Sequence, residues 1–349
     1  GKPLLNSCLV FRTYFRMEGL INIISRIKNF AKYHFMLFAN QVLLLFSLSQ
    51  HSVDITLVVK ALAIYMLLGT GGFLLNDFYD KKYDLKVGKP NSTKNLTNFH
   101  LWATLLTLWL TSSYLAFTIS IEALILIELQ CLVLLLYSHP ISRLKEKGIW
   151  GVLADTFYAH ILPFCFLVLI TPPLKNYIII GVLAVFNFLI GFKDILIHQT
   201  KDSKNDYRSR IITFTTKHPS ASKKLIQQSQ LVLKLIFIIL LISFSITFHK
   251  PIILIVTAAS LLVISISFFK AKNEGISLQT YIFFTSVILA FWLIEKNQPY
   301  LLILLAHPFL FSLLLKLKSK FSLYFNIGLY HIFLVLGRNL KEKPLYKKP

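Results

Sequence analysis

Five aspartates in this chain stand where charge is costly. Asp77, Asp80 and Asp84 lie in NDFYDKKYD, directly after the apolar run ALAIYMLLGTGGFLL. Their i, i+3, i+7 spacing puts them on one face of a continuing helix. Asp202 and Asp206, spaced i, i+4, share a face in the same way. Asp194 and His198 extend that second stripe backwards, one turn at a time. Carboxylates this close repel one another unless a cation neutralises them. Two such faces across a shared space suit a hard cation with oxygen ligands. Magnesium fits, because it takes one or two carboxylates and leaves positions for phosphate oxygens. Nearby lysines and arginines would carry the remaining phosphate charge.

The elements that hold these residues read as membrane spans. The chain has 349 residues, of which 55% are hydrophobic, and its mean hydropathy is +0.65. That is too apolar for an ordinary soluble domain. Apolar runs long enough to cross a bilayer recur along it. We place spans near residues 34–50, 53–76, 100–118, 121–138, 151–170, 176–197, 226–248, 251–269, 279–295 and 299–315. The fold class is therefore an all-α, polytopic membrane protein. Net charge is +22, which in a soluble chain would point to nucleic acid. Here the lysines and arginines concentrate in the long breaks, 77–99, 139–150, 198–224 and 270–278. By the positive-inside rule those loops, and both aspartate stretches, face the cytoplasm. No nucleic-acid partner is expected. Of the cysteines, Cys131 and Cys165 lie in apolar runs and read as small core residues. The first thirty or so residues mix basic and apolar positions, as in an amphipathic surface helix rather than a cleavable leader.

An internal echo supports the pairing of the two faces. The four-residue spacing of Asp80 and Asp84 recurs as Asp202 and Asp206, with Gln199 where Asp77 would repeat. Each acidic stretch ends the second helix of a four-helix set. That order implies a weak parallel repeat, with two halves facing each other. Smaller signals are polar groups inside spans. Asn40 and Asn187 read as helix–helix contacts, and the GTGGF stretch from Gly69 as close helix packing. Asp155, just inside a span, reads as facing the interior, because a lipid-facing acid is costly.

NDFYDKKYD resembles the NDxxDxxxD signature of the UbiA superfamily of intramembrane prenyltransferases, and DSKND resembles its second, DxxxD signature. YSHPISRLKEKGIWG, from Tyr137 to Gly151, is similar to the family's loop between spans four and five. The resemblance implies a nine-helix bundle around a central cavity, here with a C-terminal helical extension. The domains implied are 1–298, the prenyltransferase bundle, and 299–349, the extension. It implies two Mg2+ ions, held by Asp77, Asp80 and Asp84 on one side and Asp202 and Asp206 on the other. It implies diphosphate contacts from Asn76, Arg143, Lys145, Arg210 and His198. Asp77, Asp80, Asp202 and Tyr137 would carry the catalysis. The reaction implied ionises a polyprenyl diphosphate and passes the prenyl group to a lipophilic, commonly aromatic, acceptor. A bacterial cytoplasmic membrane, surrounding lipid and a homo-oligomer are compatible with it. Departures lie around the metal residues: GKPNSTKN replaces a KPxRP element, and Arg210 stands where many relatives with aromatic acceptors have glycine.

Other readings of the same residues are a terpene cyclase, a phosphoribosyl transfer to polyprenyl phosphate, and a cation-coupled transporter. A transporter should carry its acids at mid-span, whereas these cluster at the cytoplasmic ends. Beyond residue 299 the chain reads as one more span. The segment FSLYFNIGLYHIFLVLG then lies in the interface or re-enters, because Arg338, Lys341, Lys343, Lys347 and Lys348 follow it.

Overall fold

The structure is a computed structural model, and it describes residues 34–49, 51–173, 176–248 and 278–305. The surface helix expected near the N-terminus, the span expected at 251–269 and the tail beyond 305 lie outside the described residues. All described residues belong to one compact unit, Gly1–Leu305. Among them every regular element is helical. The elements are α1 (Phe35–Ser49), α2 (Ile55–Lys86), α3 (Asn98–Phe117), α4 (Ile121–Ser138), α5 (Ile149–Thr156), α6 (Leu162–Ile170), α7 (Tyr177–Ser209), the short α8 (Phe214–Lys217), α9 (Pro219–Phe248) and α10 (Leu278–Glu295). A π turn, Phe157–Ile161, joins α5 to α6 in one continuous helical segment.

Five helical segments are long and apolar enough to cross a membrane: Ile55–Lys86, Ile121–Ser138, Ile149–Ile170, Tyr177–Ser209 and Pro219–Ser243. Side-chain caps fix where several helices begin. Asp54 accepts from Leu57 N, Ser120 from Ala123 N and Asn176 from Ile179 N. Each satisfies a backbone donor that would otherwise face an apolar phase.

Two helices exceed the bilayer. Roughly 20 residues span the hydrocarbon core, but α2 has 32 and α7 has 33. Counted from their capped starts, both leave the core close to their acidic stretches. That overhang brings the carboxylates to the ends of the apolar bodies, beside the polar loops that follow them. The core, which includes Phe38, Leu43, Phe46, Ile64, Phe166 and Phe237, is fully buried between α1, α2, α6, α7, α9 and α10.

Polar glue joins spans as the sequence suggests. Asn40 donates to Ser286 Oγ at 3.0 Å and accepts from Thr285 Oγ1 at 2.7 Å, tying α1 to α10. Gln41 donates to Asn187 Oδ1, tying α1 to α7. Gly72 lies where a Cβ would stand 3.2 Å from a Leu134 methyl, so α2 and α4 pack closely there. Such contacts satisfy amide groups that hydrocarbon cannot.

Candidate active site

The overhanging ends of α2 and α7 meet. Lys89, in the loop after α2, sits between them. Its Nζ is 2.8 Å from Asp202 Oδ2 and 4.0 Å from Asp84 Oδ1. Burial alone would lower its pKa, but the hydrogen bond it donates to Asp202 and the charges of Asp202, Asp84 and Asp206 outweigh that and raise it. The ammonium is thus held charged by carboxylates from both helices. Ser209 Oγ also donates to the Tyr83 carbonyl at 3.4 Å, closing the same junction.

A second cation cluster comes from the loop between α4 and α5. Lys145 donates to Asp80 Oδ1 and lies 3.3 Å from Asn76 Oδ1. Arg143 Nη2 is 3.5 Å from the same Asp80 oxygen, and its guanidinium lies 4.5 Å above the centre of the Tyr83 ring. Both side chains are buried to within a tenth of full coverage. Burial lowers the Lys145 pKa, and the attraction of Asp80 offsets only part of that. Arg143 adopts φ 38°, a left-handed conformation unusual for a residue with a side chain. Gly151 lets the loop approach: a Cβ there would come within 2.5 Å of Leu144 O and 2.8 Å of Lys145 Cα.

The turn after α2 supplies a third support. Asn91 donates to the Asp77 carbonyl at 2.7 Å and to Asp84 Oδ2 at 2.8 Å. Ser92 donates to the Asp77 carboxylate, and Thr93 Oγ1 donates to Asn91 Oδ1 at 2.7 Å. Asp77 is buried beneath this turn at 5% exposure. Asn91, Ser92 and Thr93 stand in the GKPNSTKN stretch, where the sequence shows an altered KPxRP element but not their contacts to α2. Lys89 was legible only as part of an altered KPxRP element.

The residues expected at the site therefore fall into three groups. Asn76, Asp80, Arg143 and Lys145 form one contact cluster. Asp84 and Asp202 meet at Lys89, with Asp206 and His198 alongside; His198 Nδ1 is 3.6 Å from Asp202 Oδ2 and the ring is exposed. Tyr137 is buried, and its ring meets Tyr158 edge-on at 5.4 Å. Arg210 stands apart. It ends α7 at φ 63°, is exposed, and forms no ion pair among the described residues. Gln199 turns away from the acidic face, accepting from Thr215 N at 3.4 Å and Thr215 Oγ1 at 3.3 Å to hold α8 in place.

Among the described residues no three metal-binding side chains converge into a ready cage. The donor set nevertheless suits magnesium. Its donors are carboxylate oxygens on two helices, among which Asp80, Asp84 and Asp202 already face cationic groups, and magnesium usually needs only one or two of them beside phosphate and water.

Comparison with known proteins agrees with this geometry at the level of the fold. A UbiA homolog from Archaeoglobus fulgidus solved with DMAPP and Mg2+ superposes with a TM-score of 0.56 at 14% identity, covering 78% of this chain and 99% of that one. The same homolog with GPP and Mg2+ gives 0.54 at 14% identity, covering 80% and 99%. An apo UbiA homolog from Aeropyrum pernix K1 gives 0.53 at 13% identity, covering 76% and 98%. No curated protein sequence matches. The family description UbiA prenyltransferase matches residues 37–294, most of the length over which the acidic helices and basic loop are built, and the chain belongs to that family.

Proposed function

We propose that this protein is a Mg2+-dependent intramembrane prenyltransferase. It ionises a polyprenyl diphosphate and passes the prenyl group to a lipophilic acceptor. The observation that carries the reading is the meeting of two acidic helix ends at Lys89, with Lys145 and Arg143 on the opposite flank. Homologs of the same fold hold DMAPP or GPP together with Mg2+, which supports the assignment. The whole fold is taken as nine spans around a central cavity open to the cytoplasm, with residues 299–349 as an extension.

Asp77, Asp80 and Asp84 would hold one ion and Asp202 and Asp206 the other. Bound there, the ions neutralise the charge that develops on the diphosphate as it leaves. The chain's own residues do the rest. Lys145, Arg143 and Lys89 bring fixed positive charge to the leaving group before any reaction, so no reorganisation is needed as the bond breaks. Asn76 holds Lys145 in place. The buried ring of Tyr137 offers a π face to an allylic cation and helps to exclude water.

The purified protein should convert labelled geranyl diphosphate only with a divalent cation present. EDTA should stop turnover and added Mg2+ restore it. Asp80→Asn and Asp202→Asn should each lower turnover at least about 100-fold with the fold intact in detergent. Full activity in either variant would sink the two-helix reading.

A further inference from the structure

Three polar groups beside this site take no part in holding metal or diphosphate. Asp155 lies at the end of α5, and Tyr158 and His160 stand in the π turn that follows. All three sit in the apolar segment Ile149–Ile170. An acid inside such a segment is costly and calls for a function. Asp155 forms no ion pair among the described residues, and the hydroxyls that hold it, those of Tyr158 and Tyr137, are neutral. The Tyr158 hydroxyl donates to Asp155 Oδ1 at 2.6 Å.

The π turn has visible supports. Widening a helix by one residue disturbs its backbone pairing, and such turns cluster at functional sites. Here the Tyr158 carbonyl accepts from Gln130 Nε2 of α4 at 2.8 Å. The His160 ring packs directly on Gly191 of α7, where a Cβ would come within 2.5 Å of the ring. Two neighbouring helices thus fit the turn, and its tyrosine reaches back to the carboxyl. Tyr137 links this group to the acidic face: it lies close to Asp155 and within electrostatic reach of Asp80 and Asp206. Asp155, Tyr158 and His160 are each only partly buried.

We propose that Asp155, held by Tyr158 of the π turn beside the two acidic helices, is the proton-accepting residue for a lipophilic acceptor that carries a hydroxyl. The inference rests on the prenyl-transfer reading above. Tyr158 and Tyr137 each take one lone pair of the carboxylate, which has further lone pairs to offer the acceptor. The allylic C–O bond breaks and its electron pair leaves with the diphosphate. The acceptor's nucleophilic atom forms the new bond to the allylic carbon. The proton that the acceptor gives up passes to Asp155. An acceptor lacking the hydroxyl makes no such bond to the carboxylate, so the site discriminates against it.

The test separates ionisation from transfer. Geranyl diphosphate with 18O in the bridging position reports ionisation without any acceptor, because the label scrambles when the C–O bond breaks and re-forms. Transfer is read as 14C-geranyl incorporated into an organic extract of the membranes from which the protein is purified. Asp155→Asn should scramble the label within about threefold of wild type while transfer falls about 100-fold or more. Tyr158→Phe should show the same split at smaller size, and Asp155→Glu should recover part of the transfer. Methylating the extract's hydroxyls should remove its acceptor capacity. Equal loss of scrambling and transfer in Asp155→Asn would overturn the proposal, as would undiminished transfer. So would a wild-type protein that ionises but transfers to nothing hydroxylated in the extract. Absence of scrambling in wild type would instead defeat the prenyl-transfer reading itself.

Discussion

Lys145 is the residue whose charge state most directly tunes diphosphate capture. It is buried, and burial holds its pKa below the ordinary 10.5 despite Asp80. As pH rises through that lowered value, the ammonium loses its charge and its pull on the diphosphate. The KM for geranyl diphosphate should therefore climb at alkaline pH before an ordinary lysine would titrate. Lys145→Arg should flatten that climb, since arginine stays protonated. Stability moves the other way: a lysine with a lowered folded pKa binds fewer protons than when unfolded, so its burial penalty eases as pH rises through the folded pKa towards 10.5. Lys89 behaves oppositely. Its raised pKa means its contribution is complete below 10.5 and is lost only at higher pH. At this scale the sequence showed the aspartates and the basic loop, because their spacing is local. It did not show Lys89 bridging Asp84 and Asp202, because that contact joins positions far apart in the chain.

At the scale of elements, the connections decide whether the side chains converge. Gly151→Ala would push a methyl into the backbone of Leu144 and Lys145. It should destabilise the protein by about 1–3 kcal/mol and raise the substrate KM, because Arg143 and Lys145 ride on that loop. Thermal denaturation with kinetics on the same preparation checks both. Asn91→Ala should cost about 1–3 kcal/mol, since it removes the amide that donates to both the Asp77 carbonyl and Asp84 Oδ2. Arg210→Gly should be neutral or stabilising by about 1 kcal/mol, because φ 63° is strained for arginine and free for glycine. The departure noted in the sequence at Arg210 thus falls on a left-handed helix end, a conformation no spacing argument reveals. The π turn was equally hidden. Its apolar run reads as ordinary helix, and its supports, Gln130 and Gly191, come from other spans.

For the whole molecule, the helical, membrane-crossing character was legible from composition and run length alone. So was the use of α2 and α7, whose length beyond a bilayer follows from the charged ends of apolar runs. Orientation remains a prediction of the charge distribution. Cysteines introduced at Asn95 and Lys217 should react with an impermeant thiol reagent from one face only, the cytoplasmic one. Labelling from opposite faces would separate the two acidic ends and undo the site. In the proposed reaction the two helix ends each hold one divalent ion around a shared diphosphate. Electron paramagnetic resonance of bound Mn2+ in the presence of geranyl thiodiphosphate, a poorly ionising substrate analogue, measures this directly. Wild type should bind two ions with a spin-coupled signal, Asp80→Asn and Asp202→Asn one uncoupled ion each, and the double variant none. A single ion in wild type, or two coupled ions in either single variant, would contradict it.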